Sequence, residues 1–276
     1  MINSLVYNIP AKQIESYRER NVIVRSSSPG EIVAALCAAD SARVRFIQLL
    51  GTPEDTAELE ACGEGIPIEI VLKDPGSEFT LLYDYTNLID THPVRVAIPV
   101  LPGFSKAVRL AVSLNFAVKL EMRQPDSFLI EELSDVLDFY LHGTNVRQAI
   151  DPFQAMLLSF YRHEPLLMWE IAEEDPVQVR YITDDGEETI AKRFVGARLA
   201  GDVADFVKSY SQNLLSEKRQ CHECEFFNRC EGFFKWPDKS YDCVGIKRLF
   251  TTLANAADEV TQDLAAYREQ EMAQPS

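Results

Sequence analysis

The sequence has no surplus of positive charge. Its 27 lysines and arginines stand against 43 aspartates and glutamates, a formal net of −16. Such a chain has no general attraction for a phosphate backbone or an anionic bilayer, which sets nucleic acid and membrane surfaces aside as partners. No apolar run approaches the roughly 18 residues of a membrane span. The opening Met1-Ile2-Asn3-Ser4-Leu5-Val6-Tyr7 carries neither the basic stretch nor the long apolar core of a secretory signal. These absences predict a cytoplasmic protein, in which clustered cysteines point to metal or redox chemistry rather than to disulfides. Glycine-rich phosphate loops are also missing, since Leu101-Pro102-Gly103 has one glycine and no Gly-Lys-Ser/Thr follows it. There is no GxSxG elbow, HExxH pair, EF-hand loop or low-complexity tract.

What the sequence does have is a regular alternation of two periodicities, and at 46% hydrophobic it has ample material for a core. Short β-branched runs read as buried strands at Val22 to Arg25, Val44 to Leu49, Ile66 to Leu72, Val94 to Val100 and Phe116 to Leu120. Helix starts lie between several of them. Ser28-Pro29-Gly30-Glu31 reads as an N-cap with a capping box, and Thr52-Pro53-Glu54-Asp55 opens another helix in the same way. Phe104 to Leu114 is a third. Strand, helix, strand in succession means parallel strands with crossover helices, either curved into a partial β/α barrel or laid out as an open sheet.

After residue 123 the pattern changes. Helices are predicted over Ser127 to Leu141 and from Asp151-Pro152-Phe153 to about His163, with strands at Leu166 to Ile171 and Val177 to Thr183. The turn Asp184-Asp185-Gly186 predicts a hairpin through Thr189 and Ile190. A helix from about Asp202 to Lys218 leads into a cysteine-rich stretch. A last helix follows, with Ile246, Phe250, Leu253, Ala257, Val260, Leu264 and Tyr267 on one stripe and Gln270 to Ser276 frayed. The domain reading is therefore 1–200, a β/α partial-barrel-like unit with helical and hairpin additions, and 201–276, a metal-binding segment with the C-terminal helix.

Four of the six cysteines fall between 221 and 243, as Cys221, Cys224, Cys230 and Cys243, with spacing C-x2-C-x5-C-x12-C. Two cysteines separated by two residues bring their sulfurs into one site through a tight turn, and the other two complete a tetrathiolate. Zn²⁺ and a [4Fe–4S] cluster both accept that donor set. Only the first pair is closely spaced, unlike the paired short knuckles of zinc ribbons. Phe226, Phe227, Phe233, Phe234, Trp236 and Tyr241 crowd the segment, an apolar shell of the kind that shields a cluster and tunes its potential.

The run from Cys221 to Cys243, with Cys230-Glu231-Gly232-Phe233-Phe234-Lys235-Trp236-Pro237 and Tyr241-Asp242-Cys243, resembles the C-terminal cluster segment of SPASM domains. These are auxiliary iron–sulfur modules of radical S-adenosylmethionine (SAM) enzymes, many of which modify ribosomal peptides. The resemblance implies that Cys221, Cys224, Cys230 and Cys243 ligate one auxiliary [4Fe–4S] cluster, and that the preceding β/α units form a degenerate radical-SAM-like partial barrel. The C-x3-C-x2-C triad of the radical-generating cluster is absent, because the remaining cysteines are Cys37 and Cys62, isolated in sequence. The resulting expectation is a SPASM-type accessory protein rather than an enzyme, acting beside a radical SAM enzyme on a ribosomal peptide as electron relay or scaffold. The alternative is a non-radical β/α enzyme with a structural zinc knot and a site near Asp84, Asp90, His92 and Pro102. A third reading makes the terminal helix the docking face of an interaction module.

Among other polar residues, Asp84, Asp90 and His92 sit near a predicted strand end and read mainly as solvated loop groups. His142 with Gly143 suits a helix C-terminus. Glu170, Glu173, Glu174 and Asp175 read as a solvated acidic face, and His222 as a solvent-facing residue between the first two cysteines.

Overall fold

A computed structural model of the chain describes residues 5–52, 56–60, 62–199 and 201–273, with side chains described as far as Arg268. Nine strands form one sheet: β1 (Val6–Pro10), β2 (Asn21–Ser26), β3 (Val44–Leu50), β4 (Ile68–Val71), β5 (Val94–Pro99), β6 (Ala117–Glu121), β7 (Ile150–Asp151), β8 (Val179–Ile182) and β9 (Glu188–Thr189). Their order is β7-β6-β5-β4-β3-β2-β1-β8-β9. Every pair is parallel except β8 with β9, the hairpin predicted from Asp184-Asp185-Gly186. All five predicted strands of the first half are present. The first strand, β1, was not predicted; it is five residues long and ends on Pro10.

From β1 to β7 the strands follow chain order without a reversal. Right-handed crossovers in one direction put every connecting helix on the same face of a sheet. The helices are α1 (Pro29–Ala38), α2 (Ala57–Glu60), α3 (Pro75–Glu78), α4 (Phe104–Ser113), α5 (Ser127–His142), α6 (Phe153–Tyr161), α7 (Met168–Ile171), α8 (Phe206–Ser216), α9 (Phe227–Cys230) and α10 (Val244–Ala273). The start Thr52-Pro53-Glu54-Asp55 runs into residues outside the described ones, and α2 follows it. Ser28 caps α1 by accepting from the Glu31 N–H at 3.4 Å, but the expected capping box does not form. The Glu31 carboxylate instead accepts from the Ser26 hydroxyl at 2.6 Å, tying the helix start to the end of β2.

The two faces of the sheet differ in chemistry, as the period of two requires. One face presents Ile9, Val24, Ile47, Ile70, Val96 and Leu120 to Ile32, Val108 and Leu133 of the helices, in one continuous apolar core. The other presents polar residues in register: Arg25 beside Gln48, Gln48 beside Glu69, and Glu69 beside Arg95. These are joined by hydrogen bonds. The Arg25 guanidinium donates to Asn8 Oδ1 at 2.9 Å, Asn8 to Gln48 at 2.7 Å, and Gln48 to Glu69 at 2.6 Å. Glu69 pairs with Arg95 at 2.5 Å.

Glu173 closes this network from the segment after α7. It sits at φ 59°, a left-handed bend, and reaches Arg95 at 2.8 Å and Lys119 at 2.6 Å. Two sequence expectations are corrected here. Leu166 to Ile171 is not a strand: its last four residues are α7, with Trp169 fully buried. The acidic run is not a solvated face either, since Glu174 pairs with Arg193 at 2.6 Å and Glu170 accepts from the Leu167 N–H at 3.0 Å.

The apolar core continues across residue 200 into the cysteine-rich segment. Trp169, Phe194 and Phe206 pack with Phe233 and Trp236, the Trp169 and Phe233 rings 5.1 Å apart and the Phe194 and Trp236 rings 4.8 Å apart. The terminal helix α10 lies along α6 and against α5, burying Ile246, Leu249, Phe250, Leu253 and Ala257. Beyond Ala257 its described side chains are exposed, including the expected stripe residues Val260, Leu264 and Tyr267. Among the described residues no helix is long and apolar enough to cross a membrane.

Candidate metal centre

The cysteine-rich segment is a series of tight turns hung between α8 and α10. The Cys224 N–H bonds back to the Cys221 carbonyl at 3.3 Å, and the Phe227 N–H to the Cys224 carbonyl at 3.0 Å. The single turn α9 ends on Cys230. The chain then reverses through Glu231 and Gly232, at φ 42° and φ 79°. Gly232 is required there on two counts: its backbone is left-handed, and a Cβ would stand 2.3 Å from the Leu214 side chain.

Cys243 lies far along the chain and returns through Gln220. That side chain donates to Asp242 at 3.0 Å, while its carbonyl accepts from the Lys235 ammonium at 2.8 Å and the Cys243 N–H at 3.4 Å. Asp242 also accepts from the Val244 N–H at 3.1 Å at the start of α10. The last ligand candidate is thus pinned at a helix start.

Cys221, Cys224, Cys230 and Cys243 all border one small cavity of about 20 Å³. Its remaining wall is mostly apolar, with Phe226, Phe234, Ile246 and Phe250 all buried. No three His, Cys, Asp or Glu side chains among the described residues are gathered as a site for a single metal ion. The four thiols share a chamber without being drawn to one point.

Burial dominates the protonation of these thiols. It pushes Cys230 up to about 12, Cys243 up to about 11, and Cys221 upward as well. The thiols add to this by acting on one another: Cys221 and Cys243 oppose ionisation of Cys230, and Cys224 opposes that of both Cys221 and Cys243. Against these, Lys235 favours the thiolates of Cys221 and Cys243. The Lys235 side chain is only 5% exposed, and its ammonium also donates to the Tyr241 carbonyl. Metal ligation deprotonates thiols outright, so the apolar wall discourages free thiolates while the fixed Lys235 ammonium would balance the net negative charge of a group held by four of them. The donor set, the shared cavity and the apolar wall fit a thiolate-held metal group.

Sequence reasoning brought the four cysteines and the aromatic shell together. It missed Lys235 and Gln220, for which no spacing rule exists, and the part of α10 that supplies Ile246 and Phe250 to the chamber. His222 is exposed, as expected. Phe233 and Trp236 belong to the aromatic cluster around Trp169 rather than to the chamber wall. Cys37 and Cys62 are distant in sequence but meet in space, and burial, with the neighbouring Cys37, raises the Cys62 thiol.

The residues of the alternative active site disperse. Asp84 and Asp90 lie on the exposed side of the 3-10 helix Phe79–Asp90, which leads into the amino end of β5, whereas barrel chemistry sits at carboxyl ends. His92 is 3% exposed and held between the Ile66 carbonyl at 2.9 Å and the Leu59 carbonyl at 3.0 Å, a structural role. His142 ends α5 and stands 3.7 Å from Asp138. Gly143 follows without a left-handed cap; it is needed because a Cβ would lie 2.5 Å from the Phe139 carbonyl. No protein-family model matches this chain, and neither a curated protein nor a solved structure is significantly similar to it.

Proposed function

We propose that Cys221, Cys224, Cys230 and Cys243 hold one [4Fe–4S] cluster, and that the protein is a SPASM-type accessory working with a radical SAM enzyme on a ribosomal peptide. The observation that carries this is the single mostly apolar cavity bordered by all four thiols. A zinc ion requires four sulfurs about 2.3 Å from one point. A cluster places its thiolates at the corners of a larger body, and four thiols set around one cavity without meeting at a point suit that body better.

With four cysteine ligands no iron has an open position for substrate. When bound, the group supplies one-electron transfer or structural cohesion. The chain's own contribution is to exclude water with Phe226, Phe234 and Phe250, to fix Cys243 through Gln220, and to hold an ammonium beside the thiolates at Lys235. The partner and the peptide come from the resemblance of the Cys221 to Cys243 segment to SPASM domains. Their support here is the sequential β/α sheet and the cysteine module packed on it.

The test is Cys230→Ala, made and purified without oxygen. The wild type should show the broad visible absorption of an iron–sulfur protein, and the variant should lose most of it while keeping its far-ultraviolet circular dichroism. An unchanged visible spectrum in the variant would remove Cys230 from the ligand set and with it the proposal.

A further inference from the structure

The sheet has a second cavity, at the carboxyl ends of its strands. A cavity of about 430 Å³ opens past the ends of β4, β5 and β6. Its wall contains three cations, Lys73 after β4, Arg123 after β6 and Lys192 after β9, and one acid, Glu121, the last residue of β6. Among the described residues none of the three cations has a carboxylate within ion-pair distance, unlike Arg95, Lys119 and Arg193 deeper in the sheet. The cations are exposed, and Leu72 and Val100 line the floor between them.

A local excess of unpaired cations is notable in a chain of net charge −16. The overall field repels anions, so a ligand drawn here answers to these groups and not to the protein's charge. The cations do not crowd one point. Lys73 and Arg123 follow strands two spacings apart, roughly 10 Å. An extended peptide places alternate side chains on one face roughly 7 Å apart, so it can offer a separate carboxylate to each of several spaced cations, as one compact phosphate cannot. The apolar floor suits the stems of such side chains.

The cavity also touches the cysteine module. Gln124 lines it, and the same amide donates to the Phe234 carbonyl at 2.9 Å and the Asp238 carbonyl at 2.8 Å. Phe234 in turn walls the thiol chamber.

We infer that this cavity binds an acidic peptide segment, with Lys73, Arg123 and Lys192 taking its carboxylates. The inference draws on cations and shape alone and stands apart from the metal centre. The test uses the full chain and fluorescence anisotropy with a labelled peptide of alternating glutamate and alanine, beside a glutamine and alanine control. The glutamate peptide should bind and the control should not. Arg123→Gln combined with Lys192→Gln should weaken binding by about tenfold, an effect available from losing two surface charge contacts. Glu121→Gln should strengthen it. Iron content and thermal stability should be unchanged in the double variant, so failure here and failure of the metal centre are read separately. Equal binding of both peptides, or an affinity unmoved by the double substitution, would overturn the inference.

Discussion

At Lys235 the sequence gives up a charge to the interior. Its ammonium is satisfied by Gln220 Oε1 and the Tyr241 carbonyl. Lys235→Met keeps the stem and removes the charge, leaving both oxygens with only the longer bonds from Cys243. The expected cost is about 1–3 kcal/mol, read from urea unfolding under anaerobic conditions. With the cluster bound, loss of a neighbouring cation should also make reduction harder and move the midpoint potential to more negative values. A potential unmoved by the substitution would mean that Lys235 serves the fold alone. At this scale the four thiols were legible from spacing, because C-x2-C and the two later cysteines restrict what a short chain can do. Lys235 was not legible, because nothing in Phe233-Phe234-Lys235-Trp236 says that the lysine turns inward.

Among the elements, the bend after α7 decides the chemistry of the sheet's polar face. Burial would raise the Glu173 carboxyl, but Lys119 and Arg95 overrule it and hold it down at about 2. A carboxyl whose folded value lies below its ordinary 4.5 contributes stability above about pH 4.5 and loses it as the pH falls toward 2. Glu173→Gln should therefore cost about 1–3 kcal/mol at pH 7, since it leaves Arg95 and Lys119 with Glu69 as their one shared carboxylate. The gap between variant and wild type should narrow at pH 3. Urea unfolding at the two values checks this, and a gap independent of pH would contradict the pairing. The sequence concealed this bend. Leu166 to Ile171 is a short apolar run, for which periodicity cannot separate a strand from a buried helical turn. The acids after it reveal their partners only once Arg95 on β5 and Lys119 on β6 lie alongside. The parallel strands were legible because each is a short run rich in β-branched and apolar residues set between helix signals, and strand-helix-strand succession requires parallel pairing.

For the whole molecule, strand order carries the most consequence. A sheet that advances in chain order keeps its helices on one face and leaves the other free for Asn8, Gln48, Glu69, Arg95 and Lys119. Alternation in the sequence implied parallel strands but could not fix their order, since an open sheet with helices on both faces uses the same local pattern. The cysteine module is packed on this scaffold through the aromatic cluster around Trp169 and through α10 along α6. The chamber itself is lined from Gln220 to Phe250, so Ile246 and Phe250 at the start of α10 fall just outside a reading confined to residues 221 to 243.

The central claim is that this chamber holds iron and sulfide on four cysteines. The most direct test is metal and acid-labile sulfide content of the full-length protein, purified and handled without oxygen. The account predicts about four irons and about four sulfides per chain. One zinc per chain with no sulfide would contradict it.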